Sequence, residues 1–208
     1  VSTGSQVMQT ATVIVTGLTM GVTVLLGQSI GAGDKERAGG IVAGQIKLFI
    51  FVAVFLTVVM IAFAEKAALI MNVPSAAIDE AVSYIRICSA GMVFITAYNA
   101  ISGVFRGIGN SRSPFIFVSI ACVVNIVCDL IFVGVFHMGA SGAAYATVLA
   151  QAVSVVFSAF YIRRIDMPFS LTKKSFKIPG TINSIVKIGA PIALQDFLVG
   201  ISFLIITS

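Results

Sequence analysis

The chain has 208 residues, 58% of them hydrophobic and only 10% charged, with a mean hydropathy of +1.07. A soluble domain carries about 25% charged residues, and a disordered chain needs low hydrophobicity with high charge, so both classes are excluded. The net charge of +5 would point to a nucleic-acid partner only if the basic residues shared a soluble face.

Residues 1–33 contain no charged side chain, and 130–162 contain no Asp, Glu, Lys or Arg. Both runs exceed the roughly 18 apolar residues that argue for a membrane-spanning helix. Taken in order, apolar helices are predicted over 7–30, 41–64, 78–105, 114–135, 142–162 and 181–208. Each is long enough, at about 1.5 Å per residue, to cross a hydrocarbon core of about 30 Å. Thr10, Thr12, Thr16, Thr19 and Thr23 make the first span β-branched, yet the alternation of a membrane strand is absent. The class is all-α, a polytopic membrane helix bundle of six spans.

Local signals mark the boundaries. Gly31-Ala32-Gly33 closes the first span, and Gly139-Ala140-Ser141-Gly142 reads as the tight turn between the fourth and fifth. Ser113-Pro114 reads as an N-cap with proline at the first helical position, where its missing N–H costs nothing. Residues 65–73 read as an interfacial connector. Gly17/Gly21, Gly27/Gly31 and Gly40/Gly44 are small-xxx-small pairs that let helices approach closely. Gly31-Ala32-Gly33-Asp34 and Gly107-Ile108-Gly109-Asn110 fall at corresponding turns, with no longer internal repeat around them. Cys88, Cys122 and Cys128 lie in apolar stretches and read as small buried residues with no disulfide or metal role. The chain has no initiator Met and ends in an apolar run, and it reads as part of something longer.

The charges sort by connection. Lys35, Arg37, Lys47, Arg106, Arg112, Arg163, Arg164, Lys173, Lys174, Lys177 and Lys187 lie in or beside the first, third and fifth connections; only Lys66 and Arg86 flank the other two. Positive loops stay cytoplasmic, so the first span is expected to run inward and the last outward. The net charge is then a topology signal, and no nucleic-acid partner is expected.

Buried polar residues carry the functional reading. Asp129 is the acidic residue deepest in a complete apolar frame, and a carboxylate there costs about 2.5–3.5 kcal/mol unless it faces a bundle interior or a wet cavity. Asn125 lies four residues earlier on the same helical face. The following helix returns after a turn near His137 and Met138, which sets Gln151 at the depth of Asn125 and Thr147 at the depth of Asp129. Asn125, Asp129, Thr147 and Gln151 therefore form one polar patch suited to a proton or a hard cation such as Na⁺. The competing reading makes Asp129 a hydrogen-bonded packing residue. Asn99 either lines the same cavity or joins helices, and Tyr84 either reaches the patch or belongs to the aromatic belt. Arg86 is expected to snorkel outward or to pair with an outer acid such as Glu80. Gln28 reads as a cap or gate element, and the depth of Asp196 is open. No nucleophile triad, metal-ligand spacing or nucleotide motif is present, so an enzyme is not expected, nor any cofactor.

Several runs resemble MATE (multidrug and toxic compound extrusion) transporters. They are the stretch from Gly21 through Gln28 to Gly33-Asp34-Lys35-Glu36-Arg37, Tyr84-Ile85-Arg86, Phe105-Arg106-Gly107-Ile108-Gly109-Asn110, Asn125 to Asp129, Gly139 to Thr147, and Gly189-Ala190-Pro191-Ile192-Ala193-Leu194-Gln195. The resemblance implies helices two to six of an amino-terminal lobe over 1–165, an inter-lobe linker over 166–180 and the first helix of a carboxy-terminal lobe over 181–208. The whole would be a twelve-helix, two-lobe, monomeric transporter of the plasma membrane, exporting organic cations in exchange for H⁺ or Na⁺. Within the family's amino-lobe ion site, Asn125, Asp129 and Thr147 match the Asn, Asp and Thr, with the Ala143 carbonyl a further ligand. Gly200 falls near a position where one branch of the family carries a Glu, which favours coupling in this lobe. The alternatives are a lipid-linked oligosaccharide flippase of the same superfamily, which needs a basic cavity, or a membrane scaffold that does not transport.

Overall fold

The computed structural model describes residues 2–70 and 77–207. Seven α-helices follow in order: α1 (Ser2–Gly31), α2 (Lys35–Ile70), α3 (Ile78–Ala90), α4 (Met92–Gly107), α5 (Arg112–Asp129), α6 (Gly139–Ile162) and α7 (Thr181–Thr207). A π-helical segment, Leu130–Val135, prolongs α5. Among the described residues five helices are long and apolar enough to cross a membrane, or six where α3 and α4, bent by 47°, count as one span. The chain is a multi-pass, all-helical membrane protein, as its apolar runs predict.

α1 sits at the centre, against α7, α4, α2 and α3. Its amino-terminal half joins Phe49 and Leu56 of α2, Tyr84 and Cys88 of α3 and Ala140 and Ala144 of α6 in one core. Its carboxy-terminal half packs Val22, Leu25 and Leu26 against Ile41 and Val42 of α2, Val104 of α4 and Ile185 of α7. Glycine sets the spacing: a Cβ on Gly21 would lie 2.7 Å from the Ile185 carbonyl oxygen, and one on Gly17 would collide with Ala193. The α1 threonines suit an apolar medium because each hydroxyl donates to the carbonyl four residues back, from Thr10 to Gln6 through Thr23 to Thr19.

The turns after α1 and α4 share their closing bonds. Gly33 (φ 73°) and Gly109 (φ 82°) take the left-handed conformation that closes a helix. Asp34 N–H donates to Ser29 O and Asn110 N–H to Phe105 O, each at 2.9 Å. Each Asx side chain then caps the next helix, Asp34 Oδ1 accepting from Arg37 N–H at 2.9 Å and Asn110 Oδ1 from Ser113 N–H at 3.1 Å. The repeat between these two turns is therefore real at the level of backbone geometry.

Five expectations need correction. The third span is broken at Gly91, where Val148 of α6 packs so close that no side chain fits. Residues 65–70 continue α2 as helix and do not form a connector, while 71–73 lie outside the described residues. Asn110, not Ser113, caps α5, and Pro114 is its third residue. The turn before α6 is made by Phe136, His137 (φ 52°) and Met138, with Gly139 (φ 59°) already opening the helix. Finally, Cys122 is exposed, whereas Cys88 is buried. In a span apolar on every side, sequence periodicity does not say which face turns inward.

Candidate functional site

The α5–α6 pair holds the polar patch. Because the turn at His137 is short, α6 runs back directly along α5, and the Ser154 hydroxyl of α6 ties the two by donating to Phe117 O at 3.0 Å. Between them lies a cavity of about 180 Å³ lined by Asn125, Thr147, Gln151, Cys122, Val118, Ala121 and Ala150. Asn125, Thr147 and Gln151 thus meet as the antiparallel count predicts. Asp129 is one helical turn from Asn125 and ends α5, at the joint where the π-helical segment begins. Segments of that kind recur at functional sites.

The hydrogen-bond accounting is unusual. Asp129 Oδ1 and Gln151 Oε1 are both buried from solvent with no hydrogen-bond partner. Thr147 donates its hydroxyl to the Ala143 carbonyl at 2.9 Å. That bond uses the hydroxyl proton and leaves the oxygen lone pairs of Thr147 free to accept or to coordinate. Tyr84 of α3 is buried in one core with Cys88 of its own helix and Ala144 of α6, and Ala143 packs against that core. The patch therefore lies on α5 and α6, with α3 packed beside it.

Other candidates fall outside it. The Asn99 amide donates to Ile95 O of its own helix at 2.8 Å, and Asn99 does not line the cavity. Arg86 pairs with Glu65 at 2.8 Å, not with Glu80, because α2 continues as helix through Glu65 and brings it beside α3. Gln28, His137 and Asp196 are exposed. Sequence reasoning missed Thr96 and Ser102 on α4, whose buried hydroxyls also lack partners. It missed the π-helical segment as well, since nothing in Leu-Ile-Phe-Val-Gly-Val separates it from ordinary helix. Among the described residues no group of three or more His, Cys, Asp or Glu assembles for a metal ion.

A bundle of crossing helices with an unpartnered carboxylate oxygen and an unpartnered amide oxygen on two adjacent helices defines a polytopic membrane protein with an internal polar site. The MatE family model matches residues 1–131, and the chain belongs to that family. The probable multidrug resistance protein YpnP of Bacillus subtilis is 28% identical over 192 residues, 92% of this chain and 43% of that relative. The probable multidrug resistance protein NorM of Thermotoga maritima is 26% identical, over 95% of this chain and 43% of its own length. Among solved structures, an inward-facing MATE family transporter of the MOP superfamily aligns with a TM-score of 0.88 at 27% identity, over 94% of this chain and 45% of that one. A MOP superfamily transporter from Pyrococcus furiosus aligns at 0.91 and 26%, over 98% and 46%. The chain thus spans a little under half the length of the relatives it matches.

Proposed function

We propose that this chain forms the ion-coupling part of an antiporter that exports organic, often cationic, compounds by alternating access. The coupling H⁺ or Na⁺ binds at Asp129, Asn125, Thr147 and the Ala143 carbonyl, and Gln151 with Tyr84 borders the substrate cavity. Residues 1–165 belong to the amino-terminal lobe, 166–180 link the lobes and 181–208 begin the second. The basic connections face the cytoplasm of a plasma membrane.

One observation carries this reading: Asp129 Oδ1 and Gln151 Oε1 are buried acceptors without partners in a chain of the MatE family. Leaving such an acceptor unsatisfied costs about 1–3 kcal/mol, and more for a charged group. A cation or a donor-bearing substrate removes that penalty on arrival, so occupancy is favoured by the empty state's own cost. The donors are all oxygen, which suits a proton or a hard cation. No Lys or Arg lines the cavity, which speaks against a flippase holding a lipid pyrophosphate. The driving force is adequate, since one charge crossing 100 mV is worth about 2.3 kcal/mol, nearly fifty-fold in concentration.

The test compares wild type with Asp129→Asn, following efflux of a fluorescent cation from vesicles under imposed pH and Na⁺ gradients. Gradient-driven efflux in wild type that the variant loses, up to the roughly fifty-fold accumulation that one coupled charge supports, is the expected result. Efflux that survives the substitution makes Asp129 structural. No cation movement under either gradient leaves the flippase or scaffold.

A further inference from the structure

Two of the three basic connections are tight turns, whereas the third, 163–180, folds back along α2. The Lys47 ammonium of α2 donates to the Phe176 carbonyl and lies 5.7 Å from the centroid of its ring. Gly40 and Gly44 of α2 leave room for Ile178 and Thr181, a Cβ on Gly44 falling 3.0 Å from Thr181 Cβ. Beneath this strap is a cavity of about 270 Å³ whose polar lining comes from Lys47, Lys177, Ser175 and Thr181, with no acidic residue among its walls. Thr181 opens α7, directly after Gly180 at φ 80°. The opening N–H groups of a helix lack internal partners and favour negative charge.

The same face of α2 continues as Phe51, Phe55 and Val58, which lie four, eight and eleven residues past Lys47 and are 66%, 55% and 61% exposed. Phe51 and Phe55 stack with centroids 6.2 Å apart. Ile182 and Val186 start an exposed apolar edge on α7. A cationic pocket beside the start of α7 therefore lies on the same face of α2 as an exposed apolar stripe.

We propose that this pocket binds the phosphate of an anionic phospholipid whose acyl chains lie along Phe51, Phe55 and Val58. Charge complementarity selects an anion, and Lys173 and Lys174 in the same strap extend the positive field. The stripe selects a lipid over a free anion, which would use the pocket and leave the apolar residues bare. The bound headgroup joins Lys47 of α2 to Lys177 of the strap and so fastens α7 to α2. The site is separate from Asp129, and its occupancy does not depend on which ion is coupled.

The experiment is native mass spectrometry of the protein expressed from its full coding sequence, in neutral detergent, titrated with phosphatidylglycerol or with phosphatidylcholine of the same chains. Wild type is expected to retain phosphatidylglycerol preferentially. Lys177→Gln alone, on an exposed side chain that leaves the Lys47 contact intact, is expected to weaken that binding about fivefold, and adding Lys47→Gln about fivefold more. Lys66→Gln, at the other end of α2, leaves the preference unchanged. Equal retention of the two lipids by wild type, or a preference that survives both substitutions, overturns the proposal. Displacement of the lipid by inorganic phosphate at equal concentration assigns the pocket to a free anion and overturns the lipid as occupant.

Discussion

α1 and α5 are both apolar spans containing polar residues, and Ser119 of α5 bonds its own helix as the α1 threonines do, yet the two helices differ at the Asp129 end. In α1 every threonine hydroxyl from Thr10 to Thr23 finds a carbonyl on its own helix, and Val15, Thr19, Val22 and Leu26 are fully enclosed by neighbours. In α5 only Ser113, Pro114, Phe117 and Ala121 are buried, and Asp129 at its end has a carboxylate oxygen with no partner. The number of polar groups does not separate the two helices. What separates them is whether the hydrogen bonds close within the protein. Where they close, the residue serves packing; the open acceptor at Asp129 is the one the proposed ion site would fill.

The comparison can be broken at either helix. The largest effect is expected from Gly21→Leu, which forces a side chain into backbone already at contact distance from Ile185 and Gly189. Overpacking of this kind costs about 3 kcal/mol or more, and thermal unfolding in detergent should register it. Gln151→Leu is expected to behave in the opposite sense. It removes an acceptor that makes no bond, so stability should stay within about 1 kcal/mol of wild type or rise. Efflux of cations bearing N–H donors should nonetheless fall. A Gln151→Leu protein that melts early and transports normally would show that the amide is a packing element after all. The smallest effect is expected from Arg86→Gln: the Glu65 pair is 52% and 69% exposed, and its loss should change stability by no more than about 0.5 kcal/mol.

Much of this was legible in the sequence, for identifiable reasons. Six apolar runs give the spans, because a backbone in lipid has little choice but to be helical. Glycine followed by Asp34 or Asn110 gives the two tight turns, because that chemistry is local. The meeting of Asn125, Thr147 and Gln151 followed from a four-residue spacing and a short return turn, both of which are counts along the chain. What was not legible depends on distant residues. The close approach that keeps position 91 a glycine comes from Val148 on another helix, and the partner of Arg86 from how far α2 extends. The exposure of Cys122 and the isolation of Asn99 are likewise matters of helix rotation, which an evenly apolar span leaves undetermined.

The widened turn after Asp129 has a consequence for insertions and deletions. A π-helical turn holds one more residue than the same length of ordinary helix, so beyond it the chain falls out of phase by about 100°. Removing one residue from 130–135 would restore the regular pitch while leaving Asn125 and Asp129 where they stand. Removing one from α6 between Thr147 and Gln151 would rotate one of the two off their common face. The molecule thus has a single-residue allowance placed next to the carboxylate and absent from the helix opposite it.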